Sequence, residues 1–185
     1  MRIIAGTHGS RRFDAPEGKE TRPTLDKVRE AVFSSLGGFF DGGDVLDLYA
    51  GSGAVGFEAL SRGIERAVFV DCSRDAVRVI RKNIEQLGFA DRSLVLPVRA
   101  EKAIRLLAEK NRKFDLVYLD PPYRLQENVR IISLLSETGL LKEGAAVVIE
   151  SLKEEQFPEQ IGVLKRSREA CYGISRISYY RTIPE

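Results

Sequence analysis

Between residues 45 and 150, apolar runs of strand length alternate with helical repeats, and this alternation restricts the possible folds more than any other feature of the chain. Strands are expected at 45–49, 67–71, 93–98, 114–119 and 145–150, with helices at 54–62, 73–87, 101–110 and near 126–137 between them. Ahead of the first strand, Leu25, Val28, Val32 and Leu36 follow helical spacing behind Thr24, a capping residue type, and Gly37-Gly38 stop that helix. The strands are nearly continuous in apolar character, the mark of a parallel sheet covered by helices on both faces. Residues 162–183 alternate apolar and polar side chains and read as an antiparallel pair, and residues 2–6 and 11–15 read as a short hairpin. With 185 residues, 43% of them hydrophobic, the chain has material for one well-buried core. The expectation is an α/β domain over 21–185 behind a basic N-terminal β-hairpin extension over 1–20. Its sheet would be mostly parallel and seven-stranded, counting the antiparallel C-terminal hairpin.

Such sheets bind ligands at the carboxyl ends of their strands. Four of those ends carry acids: Asp47, Asp71, Glu101 and Asp120. The first strand runs into Tyr49-Ala50-Gly51-Ser52-Gly53-Ala54-Val55-Gly56, with glycines spaced G-x-G-x-x-G before a helix. Gly51 and Gly53 let the backbone pass close to a ligand, and Gly56 lets the helix pack closely on the strand. Asp71, at the end of the next strand, suits both hydroxyls of a ribose. The set points to an adenosine-containing cofactor. Asp47 weighs between two of them. Its carboxylate would repel the pyrophosphate of a nicotinamide dinucleotide but suits an ammonium and a sulfonium. S-adenosylmethionine is therefore favoured, with Asp47, Tyr49, Ala50, Gly51, Ser52, Gly53, Asp71, Cys72 and Glu101 as its candidate binding residues.

Asp120-Pro121-Pro122-Tyr123 closes the fourth strand. The prolines freeze the turn, which then presents a carboxylate, a carbonyl and an aromatic face. Those parts can hold a planar amino group, two acceptors for its N–H bonds and a π-surface for its ring. A rigid loop with a capping Asp is the plainer alternative.

A net charge of +2 conceals basic ends on an acidic body: residues 1–29 and 163–185 each carry +3, and the stretch between them −4. Basic ends suit a polyanion, and an acidic body suits a cationic cofactor, although solvated surface charge accounts for the pattern equally well. The two cysteines, Cys72 and Cys171, form no C-x-x-C pair, which points to a reducing cytoplasm and to no metal site. No run has transmembrane length, so no membrane partner is expected.

The glycine turn resembles motif I of the class I S-adenosylmethionine methyltransferases, which have a Rossmann-like fold. Asp120-to-Tyr123 is similar to motif IV of those that methylate exocyclic amino groups. Three amino-terminal stretches, Arg2-Ile3-Ile4-Ala5-Gly6, Gly9-Ser10-Arg11-Arg12-Phe13 and Arg22-Pro23-Thr24 through Phe33, resemble the opening of the RsmD family, bacterial 16S rRNA guanine-N(2) methyltransferases. Asp71 stands where that family more often has Glu, Ser10 where Gly is usual, and Glu101 where Asp is common. The resemblance implies a cytoplasmic enzyme acting on 16S rRNA in the assembling or assembled small subunit, with guanine 966 as the family's target. It implies Asp120, Pro121, Pro122 and Tyr123 as the catalytic group; the basic amino terminus offers Arg2, Arg11, Arg12, Arg22 and Arg29 as RNA contacts. An amino methyltransferase of another RNA or of DNA remains the alternative, because the Asp-Pro-Pro-Tyr turn reads an amino group and not a particular base. A non-catalytic nucleic-acid-binding relative of the fold, or a nicotinamide-dependent oxidoreductase, is the more distant alternative.

Overall fold

Five parallel strands form the centre of the molecule: β1 (Asp44–Leu48), β2 (Arg66–Val70), β3 (Ser93–Leu96), β4 (Phe114–Leu119) and β5 (Leu141–Leu152). The helices α2 (Ala54–Ser61), α3 (Arg74–Leu87), α4 (Ala100–Glu109) and α5 (Leu125–Glu137) connect them, and α1 (Pro23–Ser35) precedes them. The computed structural model describes residues 1–18, 23–121 and 125–183. Arg22, Pro122 and Tyr123, and the expected capping side chain of Thr24, lie outside what is described.

Three further strands, β6 (Gln160–Ile161), β7 (Leu164–Tyr172) and β8 (Ser175–Thr182), extend the sheet antiparallel beyond β5. Among the described residues the order is β3-β2-β1-β4-β5-β8-β7-β6, one strand more than the seven expected. The extra strand has only two residues, too short to show any periodicity. β1 is buried along its whole length, as a central strand covered on both faces must be.

Alternation along the strands divides the core in two. Val45, Leu116, Tyr118, Ala146 and Val148 face one side, where Val32, Phe33, Phe57, Leu60, Ile80 and Ile84 of α1, α2 and α3 cover them. Leu46, Leu48, Val117, Leu119, Val147 and Ile149 face the other, under Ile104 and Leu107 of α4 and Ile131, Ile132 and Leu135 of α5. α3 begins at Ser73, whose side chain accepts from Ala76 N at 3.4 Å, and ends at Gly88 in the left-handed region. No described helix is long and apolar enough to cross a membrane.

The amino terminus departs from the expected hairpin. A single antiparallel bridge joins Arg2 and Arg12, closed by Ile3 N–H donating to Arg11 O at 2.9 Å and Phe13 N–H to Met1 O at 3.0 Å. Ile3 is 0% and Phe13 3% exposed, both within the first core layer. Two apolar residues in a polar stretch are enough to seat it, and a charge count does not reveal them.

Candidate active site

The strand order reverses between β1 and β4, so the crevice of this sheet opens where the glycine turn and Asp120-Pro121 emerge. Both sequence motifs therefore flank one point. Asp120 follows β4 directly, its N–H pointing to Leu48 O of β1 at 3.5 Å; its side chain is exposed and Pro121 is buried.

The glycine turn needs its residue types. Gly53 has φ +83°, and a Cβ there would stand 2.6 Å from the ring of Phe57. At Gly56 a Cβ would run into the ring of Phe69 on β2, so α2 reaches its closest approach to the sheet only with glycine. Tyr49 is one of the few non-glycine residues with positive φ, +61°. Such backbone is costly and persists where its surroundings enforce it, here at the edge of the crevice.

Asp71 organises the turn. Its Oδ2 accepts from Gly51 N at 2.9 Å and its Oδ1 from Ser73 N at 2.9 Å, so one carboxylate fixes both the turn after β1 and the start of α3. Each oxygen has a second lone pair left for a ligand hydroxyl. Asp47 is 2% exposed, and its Oδ2 accepts from Gly56 N at 3.0 Å. Burial pushes its carboxyl well above the usual range; the Gly56 bond opposes this, and the negative charges of Asp120 and Asp71 add to it. A cation placed among the three would relieve that repulsion.

The other expected cofactor residues are less engaged with this point. Cys72 is an exposed free thiol, and Ser52 is buried. Glu101, in the first turn of α4, accepts from Arg130 at 2.8 Å through both oxygens and from Arg105 at 3.4 Å. Arg130, foremost, holds its carboxyl below the ordinary value. Glu101 thus joins α4 to α5.

Of the five arginines expected to meet RNA, the four within the described residues fall into separate classes. Arg29 is 6% exposed; its guanidinium donates to Arg2 O at 2.6 Å and to Asp26 Oδ1 at 3.1 Å, and lies 3.5 Å from Glu58. A phosphate cannot reach it, so the structure corrects its assignment as an RNA contact. Arg11 donates to Gln86 O at 3.0 Å and Leu87 O at 3.3 Å, capping the end of α3 while remaining at the surface. Arg2 pairs with Asp26 at 3.2 Å and is 61% exposed along its side chain. Arg12 is exposed, and its guanidinium has no partner among the described residues.

Three features escaped the sequence. Glu58, 0% exposed on α2, accepts from Ile4 N at 2.8 Å, Ala5 N at 3.0 Å and Arg62 Nε at 2.7 Å. It was visible as the one charge within Ala54–Ser61. Asn83, 0% exposed on α3, accepts from Asp14 N at 2.9 Å and donates to Asp14 O at 2.9 Å and Ser52 O at 3.3 Å, tying the amino terminus to the glycine turn. Tyr118 of β4 donates its hydroxyl to Glu150 of β5 at 2.9 Å beside Asp120.

Comparison with known proteins agrees with this geometry. The sequence model of one family, described as "Conserved hypothetical protein 95", matches residues 1–181. Bacillus subtilis YlbH, provisionally named as an rRNA methyltransferase, is 38% identical over 181 residues, 98% of each chain. Ribosomal RNA small subunit methyltransferase D of Escherichia coli K12 is 34% identical over 158 residues, 85% of this chain and 78% of its own. A solved Escherichia coli structure, provisionally named the methyltransferase yhhF, matches with a TM-score of 0.86 at 32% identity, covering 100% of this chain and 99% of that one. A match over nearly the whole length, with the glycine turn and Asp120-Pro121 at the switch point of the sheet, means that the chain belongs to this family, the RsmD family of methyltransferases.

Proposed function

We propose that this protein transfers a methyl group from S-adenosylmethionine to the exocyclic N2 amino group of a guanine in 16S rRNA, guanine 966 in the family's pattern. Its substrate would be the small ribosomal subunit, assembling or assembled, in the cytoplasm. The observation that supports the reading is that two acids in different surroundings lie at one switch point: Asp47 buried beneath the glycine turn, and Asp120 exposed beside a proline.

The residues fit the cofactor. Asp47 stands among negative neighbours that a cation would relieve, and Asp71 retains lone pairs for a ribose. When bound, the cofactor supplies a methyl group already activated by a sulfonium charge, so the protein's work is alignment and electrostatics. Asp120 and the Pro121 carbonyl accept the two amino hydrogens. They favour a pyramidal nitrogen whose lone pair points at the methyl group, and Asp120 receives the proton released. Tyr123 stacks on the base, which must leave its RNA stack to enter. The exposed arginines Arg2 and Arg12, with Arg11 and Arg22, contact phosphates and orient the RNA.

Nucleoside mass spectrometry and primer extension on small-subunit rRNA test this. Cells lacking the gene should lose one N2-methylguanosine, and purified protein with S-adenosylmethionine should restore it. An intact rRNA methylation pattern, or a missing methyl on an adenine, overturns the reading.

A further inference from the structure

Asp120 has a carboxylate neighbour that the proposed methyl transfer leaves without a task. The parallel register pairs Tyr118 with Val148 and Leu119 with Ile149; carried one residue further, it brings Asp120, just past the end of β4, level with Glu150 of β5. Strands lie about 4.8 Å apart, and residues two apart share a face. Tyr118 and Val148 both belong to the first core layer, so Asp120 and Glu150 leave the sheet on that same side. The bond from the Tyr118 hydroxyl to Glu150 Oε2 at 2.9 Å fixes the direction of the glutamate. Tyr118 is 4% exposed. Burial first, then the charges of Glu150, Asp120 and Asp47, push its phenol well above the ordinary value, so it remains a donor and holds the carboxylate in place.

Building on the guanine-N2 reading, we propose that Glu150 accepts the N1–H of the target base while Asp120 holds the adjacent amino group, with Tyr118 as its positioning residue. The pair would then select guanine over adenine. Guanine's Watson–Crick edge presents N1–H beside the C2 amino group, an unbroken row of donors that two carboxylates match. Adenine presents an unprotonated N1 beside its amino group, and its lone pair would meet a second carboxylate.

The probe is small-subunit rRNA with 2-aminopurine in place of the methylated guanine, rebuilt into subunits. That base keeps the C2 amino group and lacks the N1 hydrogen. Wild-type protein should prefer guanine by about 10²-fold in kcat/KM, the cost of losing one charge-assisted hydrogen bond and meeting a lone pair. In Glu150→Gln the amide can donate to the bare N1, so the preference should fall at least about tenfold. Tyr118→Phe should lower it less, because it removes only the positioning bond. S-adenosylmethionine affinity, measured on each variant, separates misfolding from impaired selectivity, and Glu150→Asp, which withdraws the carboxylate by one methylene, serves should the amide variant not fold. An unchanged preference in folded Glu150 variants overturns the assignment of Glu150 while leaving the guanine reading intact. A wild-type product that is not N2-methylguanosine overturns the guanine reading itself, and is seen before any variant is made.

Discussion

Two buried carboxylates, one at each end of α2, are treated in opposite ways. Glu58, near the carboxyl end, is surrounded by donors: two backbone N–H groups of the amino terminus, Arg62 at 2.7 Å, and Arg29 at 3.5 Å. Asp47, below the amino end, has one backbone donor and two carboxylates as neighbours. A buried charge that is fully paired holds structure together, because removing it strands its partners. A buried charge left among like charges is a cost to the fold, and it persists where a ligand completes it. On the proposed function, the difference gives Glu58 an architectural role and Asp47 a role in binding the cofactor.

Removing Glu58 is the strongest way to break this comparison. Glu58→Ala leaves Arg62 buried without its counter-charge, leaves Arg29 with Asp26 as its remaining acid, and frees the N–H groups of Ile4 and Ala5. The expected loss is about 3–5 kcal/mol of folding stability, read by urea denaturation. A loss below about 1 kcal/mol would remove the architectural half of the contrast.

Asp120→Ala should act in the opposite sense. Its side chain is exposed, so stability should stay within about 0.5 kcal/mol. Turnover should fall roughly 10²–10³-fold, the usual cost of one preorganised polar group in the transition state. Stability that falls while turnover holds would make the Asp-Pro turn an ordinary loop.

Asp47→Asn sharpens the contrast through pH. The folded-state pKa of Asp47 is raised, so the stability tied to its protonated form is fully present below the ordinary value of 3.8 and is lost as pH rises through the folded value. Ligand-free wild type should therefore lose stability on going from acid toward neutral pH by a component that the asparagine variant lacks. S-adenosylmethionine binding should run the other way, strengthening in wild type as Asp47 ionises. At neutral pH the variant should bind about 10–10²-fold more weakly, by calorimetry, for want of one charge-assisted bond. Parallel pH profiles in the two proteins would place Asp47 outside the cofactor's reach.

The central sheet was legible because buried parallel strands write themselves as apolar runs, and the glycine turn because its backbone excludes side chains. The acids at strand ends were legible by the same rule. Glu150 ends the apolar run 145–149 in the same way and belonged with them, although only the fold shows it beside Asp120. Asn83 was also within reach: it lies three residues after Ile80 and one before Ile84, on the face that packs inward. What the sequence could not yield were the partners of the arginines. Arg11, Arg12 and Arg29 are equal in a charge count, whereas the fold gives them a helix end, open solvent and a buried carboxylate. Such distinctions depend on pairings across many residues, such as Arg11 with Leu87, that no local pattern encodes.

That separation gives the smallest effect. Within the amino terminus, Arg11 repeats the Glu58 pattern at the surface, and Arg12 the open one. Arg11→Ala should cost about 0.5–1.5 kcal/mol, since the last carbonyls of α3 lose a cationic donor. Arg12→Ala should leave stability and S-adenosylmethionine affinity unchanged. In RNA binding, it should lower the slope of log affinity against log salt by about one, the signature of a single phosphate no longer neutralised. If Arg12 touches no phosphate, the slopes coincide, and the contrast then extends no further than the buried acids. If Arg11→Ala alone moves the slope, its guanidinium leaves α3 for RNA, and the helix cap belongs to the free protein.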